Sequence, residues 1–218
     1  MATDIIGRIN EIIEKRSLLT HPFYQAWNKG TLPVDSLKSY ATQYFHFEKA
    51  YPTFLSGIHH RCDDPKIRQH LLDNLWDEEH GEDNHVELWM RFCDALGLNR
   101  DEIVNSEPKA ATTELVETYK QMTSGMSLTS GAVALYAFEA QVPEVAKAKI
   151  NGLRQYYNMT DGRSTSFFEV HKTLDEQHSD AERQMIEALV VDDTDEKAAL
   201  EAADVATSKL WQFLDGVY

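Results

Sequence analysis

Apolar residues in this chain recur at three- and four-residue spacing almost throughout, and strand-like alternation of Val, Ile and Thr is hard to find. Ile5, Ile9, Ile12 and Ile13 follow the helical period behind Asp4, whose carboxylate can cap the opening turn. His21-Pro22 ends this helix, because a residue before proline avoids the helical region. A second helix is predicted from near Pro33 and Asp35 through Leu37, Tyr40, Tyr44, Phe47 and Tyr51 to about Cys62, kinked at Pro52. Asp64-Pro65 opens a third stretch, with Ile67, Leu71, Leu72, Leu75 and Trp76 on one side. It continues through Val86, Trp89, Phe92 and Leu96 to Gly97, with Gly81 loosening it midway. Further helices are expected over about 109–124, 128–157, 165–190 and 195–217. About seven helices predict an all-α bundle, and the lack of a repeat or linker makes residues 1–218 one domain.

Charge narrows the partners. With 36 acidic and 21 basic residues the net charge is −15, which disfavours a nucleic-acid or anionic membrane surface. Cys62 and Cys93 both fall within helical patterns, arguing against a disulfide framework and for a reducing cytoplasm. No apolar run approaches the ~20 residues of a membrane span, and Met-Ala-Thr-Asp lacks the features of a signal peptide. A soluble, cytoplasmic protein is expected.

Three segments carry candidate chemistry. In His171-x3-Asp175-x2-His178 the spacing places two imidazoles and a carboxylate on one helical face, a row suited to a metal ion or to a solvated surface. In 76–85, Glu82 and His85 show the Glu-x-x-His spacing of carboxylate-bridged dimetal bundles. Glu78 shares a face with His85 two turns away, about 10.5 Å in rise. Glu79, His80 and Asp83 read better as exposed surface. Glu139 lies within Ala-Leu-Tyr-Ala-Phe-Glu-Ala-Gln-Val-Pro, where burial demands a cation, a hydrogen-bond network or a raised pKa. Together Glu78, His85, Glu139, His171, Asp175 and His178 offer three carboxylates and three imidazoles, a donor set for two metals that suits iron or manganese better than structural zinc, although ligand type leaves zinc open.

These segments, with His21-Pro-Phe-Tyr24-Gln-Ala-Trp27 and the closing Leu210-Trp-Gln-Phe-Leu-Asp-Gly, resemble the CADD-like branch of the TenA/PqqC superfamily over essentially the whole chain. The resemblance implies a haem-oxygenase-like helical fold, a dinuclear Fe/Fe or Fe/Mn site, O₂ as co-substrate and an external reductant. It favours Glu78 over Glu82 as the ligand. CADD-like proteins are self-sacrificing 4-aminobenzoate synthases of folate biosynthesis, which assigns Tyr24 as the source of the aromatic ring and Lys149 as the amino donor. Tyr40 matches a further aromatic near the metals. Phe138 departs from the tyrosine associated with that position.

Other functions compete with this expectation. The same dimetal site can serve an external small-molecule substrate, as in related oxidases. A TenA-type thiamin hydrolase is disfavoured because neither cysteine shares the helix of Glu139, and a metal-free PqqC-type oxidase because the six-ligand set is complete. A non-enzymatic helical interaction protein remains, since some relatives are named for association with death domains and acidic helices can recruit a partner. A homodimer is expected from the resemblance and from the frequency of two-fold assemblies.

Overall fold

The computed structural model describes residues 4–218, except for the side chains at 173–177. Eleven α-helices follow one another among the described residues: α1 (Ile5–Lys15), α2 (Pro22–Asn28), α3 (Val34–Arg61), α4 (Pro65–Glu79), α5 (His85–Ala95), α6 (Arg100–Val104), α7 (Ala110–Ser124), α8 (Leu128–Glu139), α9 (Val142–Tyr156), α10 (Gly162–Leu189) and α11 (Asp193–Val217). The all-α expectation holds, and the count rises from about seven because long predicted stretches divide and two short helices appear.

Each division has a local cause. Helix α1 starts as expected, with Asp4 Oδ1 accepting from the Gly7 amide at 2.9 Å. Helix α1 ends earlier than expected, at Lys15, and His21 instead caps α2, its Nδ1 accepting from the Phe23 amide at 3.0 Å with Pro22 in the first turn. The stretch expected over 128–157 breaks after Glu139, since Pro143 in the first turn of α9 has no amide to donate back to residue 139. The stretch after Pro65 stops at Glu79 and restarts at His85, where Asn84 caps α5 by accepting from the Glu87 amide at 3.0 Å. Gly81 turns between them with φ +83°. By contrast, α3 runs through Pro52 as one helix.

Helix α8 lies at the centre, buried on every side from Thr129 to Glu139 and packed against α7, α10 and α11. A helix apolar all round belongs in such a position. Helix α3 crosses α4, α5 and α7, while α10 packs on α5, α8 and α9. Short α2 rests on α9 because Gly152 leaves room for the Trp27 indole, which a Cβ would meet at 2.4 Å. The Trp27 Nε1–H also donates to the Lys149 carbonyl at 3.3 Å. In α4, Ile67 and Leu71 are buried as expected. Leu72 and Trp76 instead face outward, Trp76 stacking on His80 at 3.8 Å between ring centroids.

A Cβ at position 81 meets nothing within 4 Å, so substitution there tests the backbone alone. Gly81→Ala should lower the unfolding free energy by about 1–2 kcal/mol through the left-handed conformation, and Gly81→Asn by less. Urea denaturation of the metal-free chain checks the order.

Candidate metal centre

Helices α3, α4, α5, α8 and α10 point polar side chains into an interior otherwise built of aromatic and aliphatic groups. Glu78 lies in the last turn of α4 and His85 opens α5, and the non-helical turn at Gly81 between them leaves Glu78 Oε2 3.0 Å from His85 Nδ1. This corrects the expectation of two residues separated by two turns of a continuous helix. Glu82 lies in the exposed turn and does not join them, and Glu79, His80 and Asp83 are exposed too. The His85 and His171 rings approach to 4.3 Å between centroids.

His171 is held in one orientation. Its Nδ1 lies 2.7 Å from the Phe167 carbonyl, and its ring stacks on Phe167 at 4.0 Å. Donation from Nδ1–H to that carbonyl leaves the Nε2 lone pair available, the usual arrangement of a ligating histidine. Burial, reinforced by His85, holds the His171 pKa well below its ordinary value, so the ring is neutral. His178 sits in a second pair, with Nδ1 3.9 Å from Glu139 Oε2 and Nε2 3.2 Å from Asp77 Oδ2. Asp175 falls among the side chains outside the described residues.

Glu139 ends α8 and is anchored by Asn74, whose amide donates to Oε1 at 2.9 Å, and by the Tyr51 hydroxyl on the same oxygen. Its Oε2 and that of Glu78 are buried and, among the described residues, accept no hydrogen bond; the close approach of His85 to Glu78 is out of line for one. Burial and then the neighbouring Glu139 push the Glu78 pKa well above the carboxylate range. Two buried carboxylate oxygens aimed past their neighbours, together with the oriented neutral imidazole of His171, fit a metal ion.

Several contributors escaped sequence reasoning. Glu48 of α3 is buried, and its carboxylate forms a tight group with the ring nitrogens of His85 and His171, these donors all lying within 4.8 Å of one another. Glu182 is buried one turn after His178, and its charge acts on Tyr51 and Tyr119. Tyr51, Asn74 and Asp77 buttress the ligand candidates. The signal for Glu48 was present: an acid in register with Tyr40 and Tyr44 on an aromatic helix face.

A chamber opens beside His171, lined also by Tyr24, Tyr40, Tyr44, Lys149 and Phe168. Lys149 Nζ donates to the Tyr40 hydroxyl at 2.6 Å, and Tyr40 hydrogen-bonds Tyr24. The Lys149 nitrogen stands 5.8 Å from the Tyr24 ring centroid. Burial lowers the Lys149 pKa to about 7, opposed by the charge of Glu48, so a large fraction of the amine is neutral near neutrality. The same burial raises the Tyr24 pKa, keeping it a phenol. Phe138 lines the chamber where a tyrosine is associated with the resembled family.

Fold and site together define an all-helical, metal-dependent redox protein. The chain belongs to the iron-containing redox enzyme family, whose model matches residues 38–209, and it is an oxidoreductase. It is 43% identical over 230 aligned residues to a 4-aminobenzoate synthase of Nitrosomonas europaea, covering 100% of this chain and 93% of that one. A 4-aminobenzoate synthase of Chlamydia muridarum is 40% identical over 215 residues, covering 99% and 90%. The haem-oxygenase-like fold is shared with a TenA homologue of Pseudomonas syringae at TM-score 0.84 and 17% identity, covering 98% of this chain and 90% of that one. Among the described residues no helix is long and apolar enough to cross a membrane.

The buried amine has a consequence for stability. Its folded pKa of about 7 lies below the ordinary 10.5, so folding loses a proton between those values. The penalty is fully present below about pH 7 and disappears as pH rises toward 10.5. Lys149→Met should therefore stabilise the metal-free chain near pH 7 by up to about 4 kcal/mol, and by progressively less toward pH 10. Denaturant unfolding across that range checks the slope.

Proposed function

We propose that this chain forms 4-aminobenzoate from its own Tyr24 side chain, with Lys149 as the nitrogen source and two iron or iron/manganese ions held by Glu78, His85, Glu139, His171, Asp175 and His178. The observation that carries this reading is the shared chamber: Tyr24, Tyr40 and Lys149 form a hydrogen-bonded series beside the metal-ligand candidate His171. When bound, the metals supply activation of O₂ with electrons from an external reductant.

The product dictates what the protein must do. Converting a tyrosine side chain to 4-aminobenzoate requires cleavage of Cα–Cβ, oxidation of Cβ to a carboxyl group and replacement of the phenolic oxygen by nitrogen. Tyr40 bridges Lys149 to the hydroxyl end of Tyr24, where nitrogen is needed. The buried setting keeps part of Lys149 neutral, so its nitrogen lone pair is available. It also excludes bulk water from an oxidised phenol. Phe167 holds His171 in one orientation where it lines the chamber. The names of the 37–43% identical relatives support the product.

The amination step should follow the free amine. Its rate should fall about tenfold per pH unit below about 6 and level off above about 8, from a Lys149 midpoint of about 7. Product should saturate at about one equivalent per chain or less, because a cleaved side chain is not restored by turnover. Tyr24→Phe and Lys149→Arg should each stop synthesis with metal retained. With ring-labelled tyrosine incorporated before purification and no free tyrosine in the assay, the product should carry the label. Unlabelled product, or many equivalents from an added molecule, would favour the external-substrate oxidase.

His171→Ala/His178→Ala should lose high-affinity metal while Glu82→Ala keeps it, as read by elemental analysis. Full occupancy in the double variant overturns the ligand assignment. A homodimer belongs to the same proposal, supported by the exposed Leu72 and Trp76 on α4. Light scattering should report twice the chain mass at micromolar concentration; a monomer there would contradict it.

A further inference from the structure

Glu48 stands outside the six-residue ligand set and still reaches the same place. It lies one helical turn after Tyr44 and two after Tyr40 on α3, with only 3% of its surface exposed. One of its carboxylate oxygens, one His85 ring nitrogen and one His171 ring nitrogen are mutually within 4.8 Å. These donors arrive from α3, α5 and α10, three helices with no sequence proximity. Such convergence of one carboxylate and two imidazoles in an apolar interior has the composition of a metal site, whose ligands sit about 2.0–2.2 Å from the ion.

We propose that Glu48 is a seventh metal ligand, completing with His85 and His171 the metal position nearest the Lys149 chamber. This rests on the dimetal reading and deepens it. Two features fix which position is meant. His171 lines the chamber that also holds Tyr24 and Lys149. The charge of Glu48 acts on both Lys149 and Tyr40, which line that chamber. Glu139 and His178 pair elsewhere, so the two positions have different donor sets: carboxylate with two imidazoles near the amine, and Glu139 with His178 beyond. Glu78, 3.0 Å from His85 and coupled to Glu139 and His178, lies between them. Unequal donor sets are the physical basis for holding two different metals.

Glu48→Gln keeps the size and polarity of the side chain while removing its anionic donor. In the holo-protein it should reduce metal from two ions per chain to about one, the affinity at the affected position falling by more than the ~10–100-fold that loss of an outer-sphere partner costs. Loading the metal-free chain with Co(II) provides a readout independent of activity. The visible absorption of bound Co(II) should change in Glu48→Gln and shift in Glu48→Asp, which retains a carboxylate one methylene shorter and guards against a folding defect in the first variant. Two ions and wild-type Co(II) spectra in both variants would overturn the proposal, leaving Glu48 a counter-charge for Lys149. A wild-type chain without metal would overturn the dimetal reading as well, so the two failures are distinguishable.

Discussion

Burial of several carboxylates in one aromatic interior governs this structure. Glu48, Glu78, Glu139 and Glu182 are each 5% exposed or less. Desolvating four anions is costly unless cations or protons accompany them. Inside the bundle the buried Lys149 is a poor source of compensation, because its own burial lowers its pKa to about 7. The metal-free chain meets the constraint partly by protonation, as the raised pKa of Glu78 shows. Divalent ions would meet it directly, exchanging those protons for coordination and linking metal affinity to pH.

The same constraint explains the division of the interior. Hydrogen bonds from Asn74 and Tyr51 reach Glu139 from the side of α3 and α4, and Asp77 reaches His178. On the other side, the phenols of Tyr24 and Tyr40 and the amine of Lys149 satisfy one another. His171 sits at the boundary and faces the chamber. The carboxylate-rich region thus adjoins the chamber of Tyr24, Tyr40 and Lys149, with His171 between the two.

Much of this was legible from residue spacing. Helical periodicity, the cap at Asp4 and the opening at Asp64-Pro65 located the principal helices. Burial of Glu139 followed from its apolar flanks. The break at Gly81 was underestimated, because a glycine within an amphipathic pattern reads as a weak point whereas its positive φ interrupts the helix outright; Glu78 and His85 meet across that interruption. The break after Glu139 was missed although Pro143 signals it. Glu48 was hidden among the aromatic residues of α3, its partners lying on α5 and α10. Its role depends on helix crossing, which a single segment's pattern does not encode. Lys149 was chosen by resemblance, since a lysine on an amphipathic helix ordinarily keeps its charge in water.

A chain that is its own substrate must lose mass as it reacts, and intact-protein mass spectrometry reads that loss. The metal-loaded, reduced protein is measured before and after one exposure to O₂, followed by peptide mapping. Loss of side-chain mass is expected, confined to the peptide containing Tyr24, accompanied by modification at Lys149 and matched to the 4-aminobenzoate released. Unchanged mass at both residues, with 4-aminobenzoate accumulating, would contradict it.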